Sequence, residues 1–105
     1  MPLFELENLV ELFLFNNRLV GDLSKYEFYK LSNLEVLDLS ENFIDNVGDC
    51  FSKNKKLRKL QLSHNRIREI NSLDLKHCKE LELSNNELVS IFTEEVCIIY
   101  NTVMY

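Results

Sequence analysis

The sequence has little glycine and proline, with two glycines and one proline in 105 residues. Turn-rich β-sandwiches and enzymes built on long loops need more of these residues, so both classes are disfavoured. With only Gly21 and Gly48 available, no glycine-rich phosphate loop exists. No apolar run reaches the roughly 18 residues of a membrane-spanning helix. The apolar share of 46% and the charged share of 28% indicate a globular chain.

Cysteine and histidine are also scarce. The three cysteines are widely spaced and form no Cys-x-x-Cys pair, so we expect buried thiols rather than a disulfide framework or a zinc site; they are Cys50, Cys78 and Cys97. His64 follows Ser63, but it fills an ordinary variable position of the repeat described below. The neighbouring acids Glu80 and Glu82 are best explained as solvated side chains. We therefore predict no enzymatic activity, no cofactor and no metal.

The chain does contain an internal repeat. The pattern L-x-x-L-x-L-x-x-N-x-L occurs four times, and its asparagines are Asn17, Asn42, Asn65 and Asn86. Leucines two residues apart share one face of a short strand, so stacked strands would form an internal leucine ladder. The asparagine amide has a donor and an acceptor for backbone groups of neighbouring repeats. Cys78 replaces the first leucine of the fourth copy and is small and apolar enough for the core.

The repeat frame extends backwards to aromatic residues. Phe28 and Phe51 stand six residues before the first leucines of the second and third copies, which predicts an aromatic row inside the fold. Leu3 and Leu6 look like the return half of a partial repeat. Residues 92–105 break the frame, and we expect either an irregular cap on the last repeat or an apolar tail that promotes self-association. We predict one domain over residues 1–105.

These residues resemble the leucine-rich repeat superfamily from about Leu3 to Ile91. The phenylalanine-containing spacing is similar to the "typical" subclass of Toll-like receptors and insect immune repeat proteins. The resemblance implies an α/β-type solenoid, with short parallel strands on the concave face and irregular or short helical returns on the convex face. It implies a non-catalytic protein–protein interaction module, in an immune or signalling setting. The alternatives are a structural module that dimerises or extends a larger array, and an intracellular regulatory subunit.

The compartment follows from none of these features. Residues 1–5 lack the basic region and the apolar core of a secretory signal, and no Asn-x-Ser/Thr site occurs. We expect a cytoplasmic protein if the chain is complete, and a secreted or extracellular one if it is a fragment of a longer protein of the "typical" subclass.

Strand alternation predicts the side chains that point away from the core on the concave face. We expect a partner protein to bind there, at Glu11, Phe13, Phe15, Val36, Asp38, Lys59, Gln61, Glu80 and Glu82. Phe13 and Phe15, together with Val36, would form an apolar patch at one end. Exposed aromatic residues are frequent binding hot spots. The alternative is that the two phenylalanines pack under the N-terminal segment or against a further repeat.

Charge is segregated along the chain. Residues 1–49 carry ten acids and three bases, residues 50–79 carry nine bases and two acids, and residues 80–105 carry five acids and no base. The basic band could meet an acidic partner surface or phosphate. It could also be a solvated face whose charges pair with adjacent repeats. Nucleic acid is disfavoured because the net charge is −5 and no recognised binding motif accompanies the band. Membrane insertion is not expected, whereas self-association through the repeat ends is possible.

Overall fold

A computed structural model describes residues 2–70, 75, 78–87, 90–91 and 103–104. Its main sheet has five parallel strands in the order β1, β3, β5, β7 and β9. These strands are β1 (Glu11–Phe13), β3 (Val36–Asp38), β5 (Lys59–Gln61), β7 (Glu80–Glu82) and β9 (Val103–Met104). The register aligns the central leucine of each repeat with that of the next. The predicted short parallel strands are therefore confirmed.

Shorter elements carry the chain back from the main sheet. Two two-stranded parallel sheets lie there, one of β2 (Val20–Asp22) with β4 (Phe43–Asn46) and one of β6 (Glu69–Ile70) with β8 (Ser90–Ile91). Single 3₁₀ turns occur at Leu3–Glu5, Leu23–Lys25 and Phe28–Lys30. The side-chain carboxylate of Asp22 caps the second turn by accepting a 2.8 Å hydrogen bond from the Ser24 backbone N–H.

The core is the leucine ladder that the repeat predicts. Leu37, Leu60 and Leu81 are fully buried at the centres of β3, β5 and β7. Leu12, the equivalent residue of β1, is 9% exposed because its strand has a neighbour on one side only. Cys78 is buried in the same cluster, which confirms the prediction that it substitutes for a leucine.

The repeat asparagines tie successive repeats together. The Asn42 side-chain amide accepts hydrogen bonds from the backbone N–H groups of Asn17 and Leu19, and it donates to Leu14 O at 3.1 Å. Asn65 acts in the same way one repeat further on, accepting from Ile44 N at 3.0 Å and donating to Leu39 O at 3.0 Å. Backbone groups that would otherwise be buried without partners are thus satisfied, which confirms the predicted role.

The aromatic row is also present. The Phe28 and Phe51 rings are buried with their centroids 6.1 Å apart. Phe4 extends the row, since its ring meets Phe28 edge-on at 5.2 Å. In the repeat frame Leu3, and not Phe4, stands six residues before Leu9, the first leucine of the first copy. Edge-to-face contact is a favourable arrangement for such rings.

Besides the repeat asparagines, Asn54 is also buried, and it lies before β5 in the third repeat. Asn54 occupies the frame position that Leu31 fills in the repeat before it. Its Nδ2 donates to Phe28 O at 2.9 Å and to Leu31 O at 3.0 Å, while its Oδ1 is buried without a hydrogen-bond partner. This second link between repeats was not predicted.

Each bend that follows a main-sheet strand uses left-handed backbone. The residue before each repeat asparagine has a positive φ of 57–59°, and these residues are Asn16, Glu41, His64 and Asn85. Asparagine tolerates this region better than other residues with a Cβ do. Glu41 is therefore strained where Asn16 and Asn85 are not.

The C-terminal segment contributes β9, which pairs in parallel with β7 through Val103 opposite Leu81. The sequence predicted either an irregular cap on the last repeat or an apolar tail over residues 92–105. The backbone groups at the far edge of β7 provide hydrogen-bond partners for β9. Residues 92–102, with Cys97, lie outside the described residues, as do Lys76 and His77.

Candidate functional site

The outward face of β1, β3, β5 and β7, with the residues that follow each strand, is called here the sheet face. Strand alternation turns the leucines inward and sends two side chains of each strand outward. In register, Glu11, Val36, Lys59 and Glu80 form one row across it, and Phe13, Asp38, Gln61 and Glu82 form the next. The structure therefore brings the sequence-predicted residues together on one surface, and none of them belongs to the core cluster.

Phe13 and Phe15 stand at the β1 end of the sheet face. Their side chains are 54% and 53% exposed, so neither packs beneath the N-terminal segment. The equivalent positions in the other three repeats hold acids, an amide and serines: Asp38, Gln61, Glu82, Ser40, Ser63 and Ser84. The apolar character of this end is therefore specific to the first repeat.

Val36 was predicted to join the two phenylalanines in an accessible apolar patch, and this is wrong. Val36 is only 6% exposed. It lies in an inner strand between Glu11 and Lys59, in register with both, and these longer side chains leave little of the valine open to solvent. The apolar patch consists of Phe13 and Phe15 without it.

The rest of the sheet face is polar and mostly acidic. Asp38 accepts hydrogen bonds from the Ser40 backbone N–H at 3.0 Å and from the Ser40 hydroxyl at 2.6 Å, which fixes its carboxylate. Lys59 Nζ lies 3.6 Å from Glu80 Oε2 on the adjacent strand. This pair is partly exposed and contributes little to stability, but it neutralises the base on this face.

The fold divides the basic band into three groups. Lys59 is on the sheet face. Arg66 and Arg68 come after β5 in the chain, just past the repeat asparagine Asn65. Arg66 stacks on the Phe43 ring, with its guanidinium carbon 4.9 Å from the ring centroid. The remaining described bases stand just before or at the start of the main-sheet strands: Lys53, Lys55, Lys56, Arg58 and Lys79. Placing each base in the repeat frame would have revealed this division.

The described residues form no catalytic arrangement. Burial raises the pKa of the Cys78 thiol to about 11, and the thiol donates to Glu80 O at 3.2 Å, so it is protonated and unreactive at neutral pH. His64 Nε2 lies 3.2 Å from Asn85 Nδ2, another surface side chain. Within the described ranges, no three potential ligands converge on a metal position.

Nor does the described part of the chain include a helix whose length and apolarity would let it cross a bilayer.

Comparison with known proteins agrees with this geometry. The family model for "Leucine rich repeat" matches residues 7–67, more than half of the chain. The chain therefore belongs to the leucine-rich repeat family, which implies a solenoid-like α/β fold and which is generally a non-catalytic protein-interaction module.

The chain is similar to Protein NUD1 of Saccharomyces cerevisiae (strain ATCC 204508 / S288c), with 32% identity over 94 residues. That stretch covers 90% of this chain and 11% of the relative, so the chain spans about a tenth of the length of the protein it matches.

Proposed function

We propose that this chain is a non-catalytic module that binds a partner protein on the sheet face, with Phe13 and Phe15 as the anchor. We expect this face to be the concave side of a solenoid. The observation that carries the proposal is the exposure of two phenylalanines, each more than half open to solvent, where the other repeats have polar side chains.

The energetics favour a partner for these residues. Fully burying a phenylalanine side chain contributes about 1.5–3 kcal/mol, and aromatic side chains are enriched among hot spots. Asp38 lies next to Phe13 on β3, and Gln61 lies next to Asp38 on β5. An aromatic centre with a polar rim is the usual composition of a protein–protein interface.

The setting of this binding is part of the proposal. We infer recognition in a signalling or immune context, supported by the buried Phe28 and Phe51 row that the "typical" subclass shares. The similarity to a short stretch of a much longer protein supports a role as one interaction segment within a larger polypeptide.

Assembly into a larger repeat array is the second candidate function, and the edge strand β1 favours it. Asn42 links its repeat to the preceding one by donating to Leu14 O. Asn17, by contrast, donates to Phe15 O, which belongs to its own repeat. β1 ends the order of the main sheet, so its outer backbone groups can pair with an added strand. A second chain or a further repeat would bind at this edge.

One capture experiment tests the first proposal. The intact chain, the Phe13→Ala/Phe15→Ala variant and the control Phe43→Ala serve as baits for proteins of the source cells, and the captured proteins are quantified by mass spectrometry. Phe43 is a matched control because it is 42% exposed but lies in β4, away from the main sheet. We expect a partner that the intact chain and the control retain and that the double variant loses.

Equal capture by all three baits would reject the sheet face as the binding surface. The mass in solution, measured by light scattering, addresses the assembly candidate, because a monomer at all concentrations would reject self-assembly through β1.

A further inference from the structure

Five bases occupy one border of the molecule, where the chain enters the main sheet. We call this border the entry edge, and its bases are Lys53, Lys55, Lys56, Arg58 and Lys79. All five side chains are exposed. They come from the third and fourth repeats, whose strands β5 and β7 are adjacent.

Backbone hydrogen bonds hold two of these positions next to one another. Arg58 N donates to Glu35 O at 2.9 Å, and Lys79 N donates to Arg58 O at 2.9 Å. Arg58 and Lys79 therefore stand side by side on neighbouring strands, about 4.8 Å apart along the stack. Lys56 is fixed as well, since its Nζ donates to Asn33 Oδ1 at 2.9 Å.

Few acids neutralise this group. Arg58 pairs with Glu35 through Nε at 3.3 Å, but both side chains are 40% or more exposed, so the pair is weak and the terminal guanidinium nitrogens remain available. Within the ranges the structure describes, Lys55 and Lys79 form no ion pair. Lys53 and Asp49 both line a surface cleft of about 390 Å³.

The positive charge is confined to one part of the entry edge. At the frame positions of Lys55, Lys56 and Arg58, the first repeat has Glu7, Asn8 and Val10. Elsewhere in the third repeat, Lys59 pairs with Glu80 and Arg66 stacks on the Phe43 ring, whereas Arg68 is exposed. Five of the described bases therefore cluster at one border of the third and fourth repeats.

We propose that the entry edge of the third and fourth repeats binds an acidic segment of a partner protein, separately from the sheet face. The guanidinium of Arg58 can hold a carboxylate with two parallel hydrogen bonds, and the lysines act as point charges for neighbouring carboxylates. A long polyanion such as DNA fits less well, because Glu80 and Glu82 lie on the adjoining sheet face and the chain carries a net charge of −5.

The test uses an octaglutamate peptide as the probe and the isotope-labelled intact chain. Binding is followed through backbone amide chemical shifts at low salt and again at high salt. We expect the shifts to cluster at Lys55, Lys56, Arg58 and Lys79. We also expect the affinity to fall at least about tenfold between about 0.02 M and 0.3 M salt, since exposed charges are screened.

The decisive comparison is between two double variants with the same change in net charge. Lys55→Glu/Lys79→Glu should weaken the peptide about tenfold or more, whereas Arg66→Glu/Arg68→Glu should change it less than about twofold. Thermal unfolding checks that each variant is folded. If either is not, Lys55→Gln/Lys79→Gln and Arg66→Gln/Arg68→Gln replace the two, again with the same change in net charge.

Equal weakening by both double variants would show that net charge alone attracts the peptide, which overturns the proposal. Shifts confined to the sheet face would also overturn it. So would tighter binding of a short DNA duplex or of phosphatidylserine vesicles at the same lysines. Failure of this test leaves the role of Phe13 and Phe15 untouched, because neither residue is changed.

Discussion

The third repeat and the first repeat share one sequence motif but differ in what surrounds them. Asn65 has a repeat on each side and is buried, whereas Asn17 is exposed at the β1 end. Leu60 is fully buried, whereas Leu14 is only partly buried. A motif residue is therefore fully buried only where a repeat packs on each side of it. The corresponding side chains of the first repeat stay partly or fully exposed, and its surface is available for binding. Two predictions test this contrast directly, along the aromatic row and at the repeat asparagines, and two more concern the buried thiol and the bends.

The largest effect is expected along the aromatic row. Phe51→Ala removes a buried ring and should lower the free energy of unfolding by about 3–5 kcal/mol. Phe4→Ala, at the half-buried end of the same row, should cost clearly less. Chemical denaturation of both variants measures the difference. Equal losses would mean that the N-terminal end is as tightly packed as the centre.

The second-largest difference in stability is expected between alanine variants of the repeat asparagines Asn65 and Asn17. Asn65→Ala leaves Ile44 N without its acceptor and removes one of the two side-chain donors to each of the Leu39 and Leu62 carbonyls, so we expect a loss of about 1–3 kcal/mol. Asn17→Ala should cost less than about 0.5 kcal/mol, as surface changes usually do. Urea midpoints test this pair. A costly Asn17→Ala would indicate that the first repeat depends on its own bend hydrogen bond.

The buried thiol gives a pH-dependent prediction. The pKa of Cys78 rises from an ordinary value near 9 to about 11 in the folded chain, because burial disfavours the thiolate. Between these values the unfolded chain loses the proton and the folded chain keeps it. Stability should therefore be unaffected below pH 9 and fall above it by about 1.4 kcal/mol per pH unit, up to the folded pKa.

Cys78→Val isolates this contribution, because other groups also titrate in that range. The variant should lose less stability than the intact chain when denaturation at pH 8 and at pH 10 is compared. Identical losses in the two proteins would show that the thiol ionises equally well in both states.

The smallest effect concerns the bends. Glu41 has a φ of 57°, where Asn16 and Asn85 occupy the same place in other repeats. Glu41→Asn should raise the free energy of unfolding by about 0.5–1 kcal/mol through relief of left-handed strain. The Asn85→Glu variant is the reverse control and should be destabilised by a similar amount. No change in either variant would mean that the bend is not strained.

Much of the fold could be predicted from the sequence. Strand alternation gave the buried leucines, the asparagine period gave the cross-repeat hydrogen bonds, and the spacing of Phe28 and Phe51 gave the aromatic row. These features follow from local periodicity, which a single sequence displays directly.

The parts that were missed depend on neighbours across the stack. Val36 points outward but is buried between adjacent strands, which alternation within one strand does not reveal. Asn54 fills a leucine position, and its hydrogen bonds to the preceding repeat become evident only when the repeats are stacked. The basic band looked uniform along the chain, yet the fold sends its members to different faces.

The most direct measurement is the free energy of unfolding of the Phe13→Ala/Phe15→Ala variant. If these rings belong to a binding surface and not to the fold, the variant should stay within about 0.5 kcal/mol of the intact chain for each substitution. A loss of about 3 kcal/mol or more, comparable to that of a core phenylalanine, would contradict the account, because the two residues would then stabilise the fold itself.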